Sequence, residues 1–196
     1  MIISHKHKFI FLKTRKTAGS SFENFMYPKL GLDDICTGSP RDGTPRINHP
    51  TEDGHVSWKY FHINYNEEFN NYFTFCVERN PWDKVVSYYY WYKKIKPHKV
   101  RHGFEEFVLN EKFSQQNDWK KYADSTGIKV DKVLRYESLH KELQTIPIPY
   151  ASEMLTTHVK SDTRKNRSYR PLYNTETKNT VARVFKDVIN QFGYEF

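Results

Sequence analysis

Residues Phe73 to Lys94, FTFCVERNPWDKVVSYYYWYKK, change their periodicity at one point, and that point decides the fold. Phe73-Thr74-Phe75-Cys76-Val77 is aromatic and β-branched and reads as a strand, whereas the residues from Asn80 onward carry the signals of a helix start. Asn80 suits the cap, Pro81 the first helical position, and Asp83 the place where a capping box and the helix dipole both favour a carboxylate. A strand therefore feeds a helix, with Arg79 at the junction. In an open α/β sheet ligands bind beyond the carboxyl ends of the strands, which places Arg79 where an anion would sit. Its planar fork of donors suits a phosphate, and Ser87, two turns along the helix, adds a hydroxyl if that face borders the site. Taken alone, Arg79 fits a second reading equally, an ion pair with Glu78 or Asp83.

The N-terminus repeats the pattern. Lys8 to Leu12 (KFIFL) is a short apolar strand, Lys13 to Ser21 (KTRKTAGSS) a basic loop of small residues, and Phe22 onward looks helical, with Ser20 and Glu23 spaced as a capping box. Strand, short loop and helix is the arrangement in which backbone amides and a helix N-terminus hold an anion while a lysine supplies charge. The signature GxxxxGK[ST] of the P-loop nucleotidases is missing, since the only glycine is Gly19 and Lys16 precedes it. That argues against a nucleotide kinase using ATP and magnesium.

The two stretches together, in this order and spacing, resemble the sulfotransferase family that uses 3′-phosphoadenosine 5′-phosphosulfate (PAPS). Lys16-Thr17-Ala18-Gly19-Ser20-Ser21 is similar to that family's 5′-phosphosulfate loop, and Arg79 to Tyr88 is similar to its 3′-phosphate motif, an arginine followed eight positions later by a serine. Val133 to Leu139 is similar to the strand that ends in Tyr-Glu before a helix, and Tyr173 to Tyr194 to the last helix, which closes with Phe-Gly-Tyr. Gly54-His55-Val56-Ser57 resembles the histidine segment of the uronosyl 2-O-sulfotransferases, in the carbohydrate branch. Arg15 stands where proline is usual, and Asp53 where that subgroup has another histidine.

The resemblance implies an α/β, P-loop-like three-layer domain with a central parallel sheet flanked by helices, occupying residues 1–196 as a single sulfotransferase domain. It implies sulfuryl transfer from PAPS to an acceptor hydroxyl, on a carbohydrate or another small molecule, without a metal. Lys16 and His55 are then the catalytic pair. Arg15, Lys16, Thr17, Ala18, Gly19, Ser20 and Ser21 line the phosphosulfate, Arg79 and Ser87 hold the 3′-phosphate, and Tyr136 packs near the adenine or belongs to the core. The basic run Lys160 to Arg170, KSDTRKNRSYR, becomes the loop that closes over PAPS, with Lys165, Arg167 and Arg170 reaching toward the 3′-phosphate. Sulfuryl transfer needs the acceptor hydroxyl deprotonated as it attacks, and an imidazole of unperturbed pKa about 6.5 suits that task. The chain has nine histidines. The resemblance selects His55; His62 is the competitor, and Glu52 or Asp53 are carboxylates placed to orient or replace it.

Composition bounds the alternatives. At 196 residues the chain is of ordinary domain size, and its formal charge of +8 points to an anionic partner. The runner-up reading is a basic nucleic-acid- or nucleotide-binding protein without transferase activity, with Tyr169 and Tyr173 as stacking residues. The sulfotransferase reading leaves no nucleic acid among the expected partners. MIISHKHKFIFL has too short an apolar run for a signal peptide or membrane anchor, which gives the expectation of a cytoplasmic protein without a membrane span. Cys36 and Cys76 have no metal or redox spacing and read as free thiols.

The remaining expectations concern local structure. Ser20 to Leu30 reads as a helix bent or ended by Pro28, and Gly31 to Gly54 as irregular, with Arg41 and Arg46 as candidate contacts to an anionic acceptor. Val56 to Phe61 reads as a short helix beginning at His55. The basic cluster His98, Lys99, Arg101 and His102 follows the central helix as an acceptor groove or a solvated turn. The pattern predicts one continuous helix over Thr175 to Phe192, stopped by Gly193.

Overall fold

The computed structural model describes residues 1–38, 48, 54–99, 103–156 and 168–196. In chain order its elements are β1 (Ile2–Ser4), β2 (Phe9–Phe11), α1 (Gly19–Met26), β3 (Ile35–Cys36), α2 (Trp58–Asn64), α3 (Asn66–Asn71), β4 (Phe73–Glu78), α4 (Pro81–Ile95), α5 (Gly103–Leu109), α6 (Trp119–Tyr122), β5 (Ala123–Asp124), β6 (Gly127–Ile128), β7 (Lys132–Arg135), α7 (Leu139–Leu143), α8 (Thr175–Val184) and α9 (Lys186–Phe192). They fall into two units, residues 1–78 with 120–159, and residues 79–119 with 160–196.

The first unit is built on a five-stranded sheet in the order β3-β1-β2-β4-β7. β2, β4 and β7 are parallel, with Phe11 opposite Phe75 and Val77 opposite Leu134. β3 and β1 extend the sheet antiparallel, Ile2 facing Phe11 on one side and Cys36 on the other. The sheet is thus mixed, which corrects the expectation of a parallel one. The sequence reading missed β1 and β3 because each is only two or three residues long, too short to carry an alternating pattern.

Alternation sorts the strands' side chains. Phe9, Phe11, Phe75, Val77 and Leu134 form one face, packed on Phe22 and Met26 of α1 and Leu139 and Leu143 of α7. Phe22 meets Phe75 edge-on at 5.4 Å and Phe11 at 4.8 Å between ring centroids. On the opposite face Ile3, Ile10 and Cys76 are equally buried, as expected for strands covered on both sides. Each such ring contributes about 1.5–3 kcal/mol by leaving water, so this cluster fixes the register of the three parallel strands. α1 stops at Met26 and passes into a 3-10 turn, Tyr27–Lys29, where Pro28 removes a backbone donor.

The second unit packs α4 with α5, α8 and α9 around Trp82, Val85, Tyr89, Phe104, Phe107, Val181 and Phe185. The start of α4 follows the sequence closely: the Asn80 side chain accepts from the amides of Trp82 at 3.1 Å and Asp83 at 3.4 Å, and Pro81 opens the helix. α8 begins with a full capping box, Thr177 N donating to Asn174 Oδ1 at 2.9 Å and Asn174 N to Thr177 Oγ1 at 3.0 Å. The expected single helix over Thr175–Phe192 is broken at Phe185, which leaves helical geometry (φ −103°, ψ 23°). Two interactions account for the break. Asn117 Nδ2 takes the Val184 carbonyl at 2.7 Å, and the Phe185 ring stacks on Phe113 at 6.1 Å. Gly193, at φ 62°, closes α9 as the sequence predicts.

Candidate functional site

The carboxyl ends of β2, β4 and β7 lie at one edge of the first unit's sheet, because the three strands run parallel. β2 leads into the Lys13–Ala18 loop, β4 ends at Glu78, and β7 leads into Tyr136. This is the edge at which α/β sheets bind ligands.

The Lys13–Ala18 loop is pinned to β4. Leu12 N donates to the Phe75 carbonyl at 2.8 Å, and the Thr14 hydroxyl donates to the Val77 carbonyl. The Thr14 and Thr17 hydroxyls lie 2.8 Å apart, and Thr17 Oγ1 donates to the Thr14 carbonyl at 3.1 Å. Both threonines are buried, while Arg15, Lys16, Ala18 and Ser20 are half-exposed. The Thr17 hydroxyl is therefore spent on the loop itself.

Lys16 and Ala18 both occupy the left-handed region, at φ 61° and 66°. For residues with a side chain that conformation costs about 1–2 kcal/mol, a form of strain that clusters at ligand-binding sites. Left-handed residues in such a turn aim successive amides into one concavity, the geometry of an anion-binding nest. Ala18 caps α1 with its carbonyl, which accepts from Ser21 N at 2.8 Å and Phe22 N at 3.0 Å. The cap residue itself makes no side-chain hydrogen bond, and no acidic residue lies in the first turn of α1. The expected Ser20–Glu23 capping box does not form: the cap residue is Ala18, two positions before Ser20, and Glu23 points into a buried polar cluster.

That cluster lies beneath the loop. Glu23, 1% exposed, accepts from Lys13 Nζ, from Thr37 Oγ1 at 3.1 Å and from the Met1 nitrogen at 2.6 Å. Burial pushes the Glu23 carboxyl up, but the charges of the Met1 ammonium and of Lys13, with their hydrogen bonds, outweigh it and hold the group below the ordinary carboxylate range. Gly19 sits over the Lys13 stem so closely that a Cβ there would lie 2.8 Å from Lys13 Cγ.

His55 joins the same loop. Its Nδ1 lies 3.0 Å from the Lys13 carbonyl oxygen, and Lys121 Nζ donates to the His55 carbonyl. A carbonyl only accepts, so Nδ1 carries a proton, and in the neutral ring Nε2 is the basic nitrogen. His55 does not begin a helix as expected; α2 starts at Trp58 with Ser57 as its cap residue. His62, the competitor, is exposed on α2, with its Nδ1 3.3 Å from Asn66 Nδ2 and its ring against Trp58 and Phe69. The structure thus brings His55, and not His62, into hydrogen-bond contact with the loop. Tyr136 is half-buried and packs against the apolar core of the first unit.

In the second unit, Arg79 donates from Nε and Nη2 to Asp83 Oδ2, at 2.9 and 2.6 Å. This is the ion pair that the sequence left open beside the anion reading. It holds the guanidinium on the face of α4 that carries Ser87, one turn beyond Asp83, and Asp83 and Ser87 are both half-exposed. Arg170 donates to the Phe196 carbonyl at 3.0 Å. Lys165 and Arg167, like Arg41, Arg46, Glu52, Asp53, Arg101 and His102, lie outside the described residues. Among the described residues no group of three or more His, Cys, Asp or Glu is placed to hold a metal ion, and no helix is long and apolar enough to cross a membrane.

Sequence reasoning read Glu23 only as a capping residue and missed Thr37 and Lys121. Their partners lie 10, 14 and 66 positions away, where no local pattern reports them.

The chain is thus mixed α/β, with a strained, basic loop at the carboxyl edge of its parallel strands. The model of the sulfotransferase family matches residues 1–195, and the chain belongs to that family. It is also similar to an uncharacterized protein of Archaeoglobus fulgidus, 33% identical over 81 residues, which covers 40% of this chain and 67% of the relative. No solved structure matches it significantly.

Proposed function

We propose that this protein is a PAPS-dependent sulfotransferase acting on an acceptor hydroxyl, with a carbohydrate as the acceptor class, and that residues 1–196 form one sulfotransferase domain. The observation that carries the reading is the loop of the first unit: two left-handed residues, Lys16 and Ala18, bend it at the start of α1, and His55 is hydrogen-bonded to its first residue.

The residues present fit the donor. The α1 start offers amides and the positive end of a helix dipole, with no side-chain carboxylate of the first turn to compete for them. When bound, PAPS supplies the sulfuryl group. The P-loop-like amides from Thr17 to Ser21 hold the phosphosulfate end, Arg15 adds charge, and Lys16 stabilises the negative charge that grows on the 5′-phosphate side. His55 Nε2 takes the proton of the acceptor hydroxyl as it attacks. Arg79 and Ser87 are assigned to the 3′-phosphate, with Lys165 and Arg167 as further contacts, and Tyr136 to the adenine. Asp83 then presents the Arg79 guanidinium, accepting from its Nε and Nη2 on one carboxylate oxygen. The protein's contribution is positioning and preorganised charge.

Calorimetric titration with 3′-phosphoadenosine 5′-phosphate beside ADP, without magnesium, tests the reading. Tight binding of the first and weak binding of the second is expected. Equal or absent binding would overturn it, and the basic surface would then be tested against nucleic acid by the salt dependence of binding.

A further inference from the structure

We propose that Glu23 is a positioning residue for His55, fixing from beneath both chain segments that hold the imidazole; this rests on the reading of His55 as the base. The first segment is Lys13. Its carbonyl receives His55 Nδ1 at 3.0 Å, and its side chain is tied to Glu23. The second is Gly54, the residue before His55. Gly54 presses against Thr37 so tightly that a Cβ would lie 2.4 Å from Thr37 Oγ1, and that hydroxyl donates to Glu23 at 3.1 Å. The Met1 nitrogen closes the group, reaching Glu23 Oε1 at 2.6 Å and the Gly54 carbonyl at 3.1 Å.

Glu23 has nowhere else to go. It is 1% exposed, and a Cβ on Gly38 would fall 2.6 Å from its own Cβ. The glutamate is thus the shared anchor of the carbonyl that reads the ring and of the backbone that carries it. The consequence is chemical as well as steric. With Nδ1 donating to Lys13, the neutral ring keeps its proton there and presents Nε2 as a base; if Lys13 turns away, the proton is free to move to Nε2 and that nitrogen is no longer basic. A glutamate that touches neither donor nor acceptor therefore decides which ring nitrogen is available.

Ring-nitrogen NMR of the full chain, with no ligand and above the pH at which its histidines are charged, tests this. The His55 signals are assigned by their loss in His55→Gln. The expected result is one dominant Nδ1–H tautomer in the unchanged chain and a mixture of tautomers in Glu23→Gln. A folded Glu23→Gln with the same single tautomer overturns the proposal, as does an Nε2–H tautomer in the unchanged chain. If Glu23→Gln fails to fold, Thr37→Val, which keeps the side-chain shape and removes the hydroxyl, carries the test with the same two outcomes. Failure of the base reading is seen separately: turnover retained in His55→Gln would remove His55 from catalysis and leave the tautomer result standing.

Discussion

Lys84 Nζ and Asp118 Oδ2 meet at 3.1 Å, and neither side chain has any solvent exposure. Lys84 lies among the buried residues of α4, with its ammonium 6.0 Å from the Phe185 ring centroid, at the point where α8 gives way to α9. A buried pair of this kind contributes little net stability compared with an apolar pair, but removing one member takes a buried charged partner from the other. Lys84→Met is therefore expected to cost about 3–5 kcal/mol in denaturant unfolding, and the double variant Lys84→Met/Asp118→Leu to recover most of it. A single variant as stable as the original chain would show that the pair is not buried as described.

Glu23 gives the first unit a pH dependence. Its carboxyl titrates below the ordinary carboxylate range in the folded chain: burial alone would raise it, and the Met1 ammonium and Lys13 more than offset that. Between the folded and unfolded values the unfolded chain binds more protons, so stability rises with pH there. The stabilisation is complete above the unfolded value and is lost as pH falls through the folded one. The thermal midpoint is expected to drop on acidification, and to drop less steeply in Glu23→Gln, which starts lower at neutral pH. Parallel curves for the two proteins would remove Glu23 from the acid transition.

How much of this was legible beforehand differs between elements. The β4–α4 junction was readable to the residue, because a cap, a proline and a change of period coincide at Asn80 and Pro81. The two antiparallel strands were not, since the three residues of β1 acquire their identity only from pairing with β2, and the two of β3 only from pairing with β1. At α1 a local rule misled: Ser20 and Glu23 have capping-box spacing, yet a buried partner set drawn from Lys13, Thr37 and Met1 outcompetes the box. The break at Phe185 has the same origin, for Asn117 reaches the Val184 carbonyl from 67 positions away. The sequence motifs named the loop residues and His55; the hydrogen bond from His55 to Lys13 is a product of folding alone.

The left-handed conformation of Ala18 can be tested through its Cβ. At φ 66°, glycine is at home, alanine is strained and a β-branched residue is an outlier. Ala18→Gly is expected to leave stability within about 1 kcal/mol of the original, the relief of strain set against the added freedom of the unfolded chain. Ala18→Val is expected to lose more than that and to weaken binding of 3′-phosphoadenosine 5′-phosphate by deforming the turn before α1. Equal stability of the two variants would mean that Ala18 is not left-handed in solution.

Lys16 separates binding from turnover. Under the proposed roles its ammonium acts mainly on charge that develops during transfer, so the loss should fall on turnover more than on affinity. Removing one preorganised group of this kind typically costs about 10²–10³ in rate. Lys16→Ala is expected to lose turnover by that factor or more while still binding 3′-phosphoadenosine 5′-phosphate in calorimetry. Normal turnover in the variant would sink the assignment.

Arg79 separates the two ends of the donor. Its guanidinium is held by Asp83, and its assigned partner is the 3′-phosphate, which ADP lacks. A charge-assisted hydrogen bond contributes about 1.5–3 kcal/mol, which corresponds to roughly tenfold to a hundredfold in affinity. Arg79→Gln should therefore weaken 3′-phosphoadenosine 5′-phosphate by that factor and leave ADP nearly unchanged, collapsing the preference between them. Because the same substitution also breaks the pair with Asp83, Asp83→Asn is the control: it keeps the arginine, removes the i, i+4 ion pair, and should retain most of the preference. If Asp83→Asn erases the preference as fully as Arg79→Gln does, and both variants unfold at lower temperature, the arginine is a structural partner of α4 and the 3′-phosphate is held elsewhere.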